Sequence, residues 1–232
     1  MTRKNTIDIN GLEDYSIEQL DEMNRENDEY EVEINDYGYA DSIFGTYSNV
    51  KVDSWETALV SLYNIRSLLG IGDVFEELAP KSGWELYGMQ EYDFKQVYKG
   101  VEVKENSVLV GLYSNKDGRP HFVDSGYSPV PHDLDTNPQI TKEEAGEIAE
   151  EAGYGKFYPF DEDDNEELYS SDEGENGTLY IIDDNGKYRL VWDIYCSKNP
   201  KNILATYEVM VDAKTGEVVY GESTVECGYA NK

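Results

Sequence analysis

Cysteine and histidine are scarce in this sequence, with two of each, and only 19 Lys and Arg stand against 49 Asp and Glu. Two thiols exclude a zinc site built of thiolates alone, which takes four. They leave room for one disulfide in an oxidising compartment or for two inert thiols. A mixed zinc site would need Cys196, Cys227, His121 and His132 together, and their spacing matches no zinc-finger pattern. A formal net charge of −30 argues against nucleic-acid binding, which needs clustered Lys and Arg to neutralise phosphates. It argues equally against docking on an anionic membrane. No run of about 18 apolar residues occurs, so no membrane-spanning helix and no membrane insertion are expected. The opening MTRKNTIDING has a basic start without an apolar stretch behind it, so no signal peptide is expected there.

Catalytic patterns are missing too. Gly-x-Ser-x-Gly does not occur, and Asp124-Ser125-Gly126 reads as a turn at a strand end. Carboxylate pairs are so numerous that none stands out as a general acid and base. Cys196 follows the mostly apolar Val191-Trp192-Asp193-Ile194-Tyr195 without a basic partner to activate it. No catalytic residue, no cofactor and no enzymatic activity are expected.

The acidic surplus has two readings. One is solubility through self-repulsion; the other is complementarity to a basic partner or a bound cation. The densest run, Asp161-Glu162-Asp163-Asp164-Asn165-Glu166-Glu167, could offer calcium the oxygen ligands Asp161, Asp163 and Asn165. Set against an EF-hand loop these take the first, third and fifth positions. Glu166 then falls where glycine is needed and Asp172 replaces the bidentate Glu. The run is therefore not an EF-hand, and a solvated loop competes with a calcium site of another kind.

What is present suffices for a core: 39% hydrophobic residues, with 20 Tyr and 3 Trp. Trp55, Trp84 and Trp192 read as core or core-edge residues. Residues 1–50 form an acidic N-terminal arm. Within it, 16–24 suit a short helix with Ile17, Leu20 and Met23 on one side, and 30–47 read as extended. Tyr in 30–47 and in 154–180 offers a mixed aromatic and acidic binding face, or strand-edge packing.

A helix follows, with Asp53 as cap and Glu56 as its capping-box partner. Trp55, Ala58, Leu59, Leu62, Ile65 and Leu69 recur at helical spacing, and Gly70 stops it. Strand patterns run over 84–98, 101–113 and 120–127, with turns at Lys99-Gly100 and Asn115-Lys116-Asp117-Gly118. Ser128-Pro129-Val130-Pro131-His132 reads as a linker. A second helix opens at Thr141 with Glu144 in a capping box. Strands then follow over 178–182, 187–196, 203–212 and 217–221, with the acidic stretch 161–177 inserted before them.

One motif thus occurs twice: a helix, then antiparallel strands. The expected fold is α+β in two subdomains, each a helix packed on a curved antiparallel sheet. They span 51–128 and 139–224, with the boundary near 128–139 and a tail at 225–232.

Register places the cysteines. With hairpin turns centred near 199–200 and 214–215, Cys196 lies opposite Ile203 and Cys227 falls beside Asn202. Two strand spacings, about 9–10 Å, then separate them, beyond the roughly 7 Å that disulfide Cα atoms tolerate. A disulfide would need the tail to curl across the sheet end.

Gln96-Val97-Tyr98-Lys99-Gly100-Val101-Glu102-Val103 resembles the Q-x-Y-x-G-[VI]-x-V signature of the fungalysin/thermolysin propeptide domain. In it Gln96, Tyr98, Lys99, Gly100, Val101 and Val103 carry the pattern. Thr141-Lys142-Glu143-Glu144-Ala145-Gly146-Glu147-Ile148-Ala149 is similar to the opening helix of a PepSY domain. Val211-Asp212-Ala213-Lys214-Thr215-Gly216-Glu217-Val218 is similar to its closing V-D-A-x-T-G-x-V hairpin, through Asp212, Ala213, Thr215 and Gly216. The resemblance covers residues 52–220 and implies a cystatin-like second half.

It also implies a propeptide-like protein, extracellular or at the cell envelope of a bacterium. Such a protein would bind a thermolysin-like zinc metalloprotease catalytic domain and inhibit it or assist its folding. No His-Glu-x-x-His occurs, since His121 and His132 stand eleven apart. The expectation is therefore a propeptide acting in trans. The alternative is a secreted or surface module that keeps the fold and binds a non-protease partner.

Overall fold

A computed structural model describes residues 12–86, 89–113, 118–158, 176–199 and 206–224. The chain is α+β and forms two compact units, Met1–Val130 and Pro131–Lys232.

The first unit opens with α1 (Ile17–Met23), capped by a Ser16/Gln19 box. The extended arm then folds into a hairpin of β1 (Glu31–Ile34) and β2 (Ala40–Phe44). Three short helices follow: α2 (Trp55–Tyr63), α3 (Arg66–Leu69) and α4 (Val74–Glu77). The strands β3 (Leu78–Leu86), β4 (Met89–Tyr98), β5 (Val101–Tyr113) and β6 (Phe122–Ser125) complete it. All pairs are antiparallel, in the order β1-β2-β6-β5-β4-β3. The N-terminal hairpin therefore extends the expected meander beside β6. Its core gathers Leu20, Ile43 and Tyr47 with Leu62, Phe94 and Val110, all fully buried.

Four local expectations are corrected here. The helix cap is Ser54 with Thr57, whose side chain reaches back to the backbone N–H of both Asp53 and Ser54. The apolar stripe from Trp55 to Leu69 is broken, because buried Asn64 leaves the helical ladder to hold other backbone. Its Nδ2 donates to the Glu13 carbonyl at 2.6 Å, and its Oδ1 accepts from Ser48 Oγ at 2.7 Å. The strand pattern read over 84–98 is two strands, β3 and β4, paired from Leu78↔Gln96 to Leu86↔Met89. Trp55 packs edge-on against Tyr92 and Phe94, whereas Trp84 is exposed rather than core.

In the second unit α5 (Lys142–Glu151) begins with the expected Thr141/Glu144 box. It packs on the meander β8 (Thr178–Asp184), β9 (Lys187–Ser197), β10 (Thr206–Asp212) and β11 (Val218–Ser223). A short β7 (Lys156–Phe157), unread in the sequence, pairs with the end of β9. Ala145 and Ala149 let the helix sit close on Ile194, Cys196, Val209 and Val211. Cys196 stands opposite Tyr207, not Ile203, because the β9–β10 register runs from Thr206↔Ser197.

Gly155 makes β7 possible. Its φ is +107°, and a Cβ there would lie 2.4 Å from the Ser197 carbonyl carbon. Gly153 also has positive φ, +90°, but open space around it. Gly155→Ala is expected to lower the unfolding free energy by about 3 kcal/mol, from backbone overlap added to strain. Gly153→Ala should cost about 1 kcal/mol, from strain alone. Urea denaturation of both variants measures the difference.

Candidate functional site

The residues of the first signature build an architectural bracket. Lys99 and Gly100, at φ +49° and +84°, form a two-residue turn closed by the Tyr98↔Val101 pair. Both left-handed positions are what the right-handed twist of the flanking strands requires. The Lys99 ammonium lies 4.7 Å from the Tyr98 ring centroid. Val103 is buried and Val101 half-buried.

Beyond the turn, β5 bulges. Val97 pairs with Glu102 and Lys95 with Ser107, so residues 103–106 face Gln96 alone, and Glu105 takes φ +68°. Gln96, 1% exposed, fills the gap with its amide. Its Nε2 donates to the Ser128 carbonyl at 2.7 Å. Its Oε1 accepts from Ser128 N at 3.1 Å and from Asn106 Nδ2 at 3.0 Å. One side chain thus acts as a piece of strand for the segment leaving β6.

The second signature does the same at the other unit's hairpin. Asp212 Oδ1 accepts from the backbone N–H of Lys214 and of Thr215, each at 2.9 Å. Gly216, at φ +75°, returns its N–H to the Asp212 carbonyl at 2.9 Å. Ala213 donates to the Leu190 carbonyl, and its own carbonyl accepts from Gln139 and Ile140. Lys214 Nζ reaches Asp135 and the Asn137 carbonyl. The turn therefore holds residues 135–140, which lead into α5, and Trp192 Nε1 adds a bond to the Ile140 carbonyl at 2.9 Å.

Arg189 gathers Asp184, Asp212 and Glu217 at 2.9, 3.2 and 2.7 Å. Burial works to raise the Asp212 carboxyl. The two N–H donors and Arg189 outweigh it and hold the group below the usual carboxylate range.

A third bracket went unread in the sequence. Asn176, 2% exposed, donates to the carbonyls of Tyr158 and Tyr195 and accepts from Tyr195 N, all within 2.9 Å. It fills the edge of β9 between β7 and β8. Only its place just ahead of a strand signals the role.

The calcium ligands Asp161, Asp163 and Asn165 lie outside the described residues, as does Cys227. Cys196 is a free, buried thiol against α5. Burial, with Glu150 adding to it, pushes that thiol up to about 12. A thiol so held is not a nucleophile at neutral pH. His121 lines a cleft of about 390 Å³ in the first unit with Glu26, Glu29, Phe44 and Arg119. No group of three or more His, Cys, Asp or Glu among the described residues is arranged to hold a metal ion. No helix among them is long and apolar enough to cross a membrane.

On the strands, exposed aromatic side chains lie in two places among the described residues. The edge strand β11 has a neighbour on one side only among the described residues, and it exposes Tyr220, whose hydroxyl donates to Glu222 at 2.6 Å. The other is the sheet face of the first unit that carries Trp84.

No protein-family model and no curated protein matches the chain. Among solved structures, the Bacillus megaterium YpeB C-terminal domain is similar at 15% sequence identity. That match covers 92% of this chain and 100% of that one, with a TM-score of 0.40.

Gln96→Leu removes the acceptor and donor that serve Ser128 and is expected to destabilise by roughly 2–4 kcal/mol, since buried backbone groups are left unpaired. The depressed Asp212 carboxyl stabilises the fold above the ordinary carboxylate pKa of about 4, and that contribution fades as the pH falls below it. Asp212→Asn should therefore flatten the acid limb of a plot of stability against pH, measured by urea unfolding between about pH 3 and 7.

Proposed function

We propose that this chain is a non-catalytic, propeptide-like protein that binds a thermolysin-like zinc metalloprotease in trans, inhibiting it or assisting its folding. The supporting observation is β11 at the end of the PepSY-like hairpin, which is the last strand of its sheet among the described residues and exposes Tyr220. An extended edge can lie in the substrate cleft of a protease and take strand-like hydrogen bonds there, with alternate side chains supplying specificity. Cleft occlusion needs complementarity and not a covalent link to the enzyme. The two propeptide-like signatures, in order along the chain, favour this reading. Their residues form the brackets that hold each unit's hairpins and incoming segments, so the same architecture serves a free-standing binder.

Mixing the purified protein with the catalytic domain of a thermolysin-like protease and a peptide substrate tests this. Saturable inhibition is expected, competitive with substrate. Tyr220→Ala with Glu222→Lys should weaken it about tenfold or more while leaving the melting temperature unchanged. Neither inhibition nor rescue of protease refolding at high micromolar protein would overturn the proposal.

A further inference from the structure

The register of the first unit's sheet aligns Trp84, Glu91, Gly111, Phe122, Phe44 and Glu31 in one row across six strands. Five strand spacings make that row about 24 Å long. The parallel row beside it carries Asp93, Asp124 and Glu33. The opposite face of the same strands supplies the core residues Val110, Val123 and Ile43, with Tyr92 packed against the core. The outward face is thus built of carboxylates and aromatic rings.

The rings are placed for contact. Phe122 lies over Gly111, where a Cβ would come within 2.8 Å of it. Phe44 sits 4.7 Å from Phe122, centroid to centroid. Trp84 is 43% exposed at one end of the row and Phe44 42% exposed toward the other. Large apolar groups left open on a sheet otherwise rich in charge mark an interaction surface.

Acid outnumbers base on this face. Glu31, Glu33, Glu91, Asp93 and Asp124 share it with Lys81, 3.6 Å from Asp93, and Lys95, 2.7 Å from Glu102. Ser42 donates to Glu33 at 3.0 Å. Burial, and after it the neighbouring Asp93, pushes the Glu91 carboxyl upward. Like charges at neighbouring positions on a sheet destabilise it. A cationic partner would relieve it.

We infer that this face docks an arginine-rich segment of another protein, whose guanidinium groups stack on Phe44–Phe122 and Trp84 and pair with Glu91, Asp93 and Asp124. Arginine fits both halves of the surface. Its planar, weakly hydrated group stacks on aromatic faces and forks onto carboxylates, which a lysine ammonium does not. The inference stands apart from the protease reading: it uses the first unit's face, not the β11 edge.

The test uses the full chain and two probes, a nonapeptide of arginine and one of lysine, with affinity measured at about physiological ionic strength. Arginine is expected to bind more tightly than lysine. The variant Glu91→Gln/Asp93→Asn/Asp124→Asn should weaken the arginine peptide about tenfold or more, because it removes the paired charges. Glu143→Gln/Glu147→Gln/Glu150→Gln on α5 changes the net charge equally at exposed positions and should weaken it less than about twofold. Phe44→Ala/Trp84→Ala should erase the preference for arginine over lysine. Equal weakening by the two charge variants would show attraction to net charge alone and overturn the inference. The sheet-face charge variant should also melt a few degrees higher. A lower melting temperature would show that the carboxylates serve the fold and would equally overturn it.

Discussion

Each unit depends on side chains that take the place of missing backbone partners. Where a strand ends or bulges, its neighbour loses hydrogen bonds that water cannot replace inside the fold. Gln96 meets this at the β5 bulge by serving both polar groups of Ser128 and the amide of Asn106. Asn176 meets it between β7 and β8, and Asp212 at the last hairpin. Asn24 and Asn64 do the same for the N-terminal segment, holding Thr46 and Glu13 respectively. Each such bond contributes only about 1 kcal/mol net, yet leaving its partner buried and unpaired costs more. The brackets therefore specify which segments dock where more than they add stability.

This changes what the signature motifs mean. Gln96, Gly100, Asp212 and Gly216 are spaced for geometry: two amide or carboxylate brackets and two positive-φ turns. They tie each hairpin to the chain entering or leaving it. None presents a reactive atom to solvent, and the free thiol of Cys196 is sealed beneath α5. The exposed aromatic side chains of the strands lie elsewhere, on an edge strand and on a sheet face. There exposed Tyr220, Trp84 and Phe44 keep company with carboxylates.

The legible parts of the fold were those controlled by local chemistry. The Thr141/Glu144 capping box and the Lys99-Gly100 turn were both readable, since each needs only neighbours in sequence. The break at Asn64 was hidden because its partners, Glu13 and Ser48, are distant in the chain. The division into β3 and β4 was hidden because both strands share one pattern of apolar and charged residues. Trp84, read as core or core-edge, is exposed for a related reason: composition favours burying Trp, while the face it takes is set by pairing with Glu91. The acidic–aromatic face was invisible for the same cause. Glu91, Phe122 and Phe44 lie on three strands and meet only through register.

The sequence by itself determined the α+β class, the capped helices and the positive-φ turns, because propensity, capping and turn chemistry act over a few residues. Its excess of acid left both solubility and a cationic partner open. Only the tertiary structure decided where that acid faces, which strand is left as an edge, and which buried amides close the sheets. Those outcomes depend on strand order and register, and a shift of one residue would send every side chain of a strand to the opposite face.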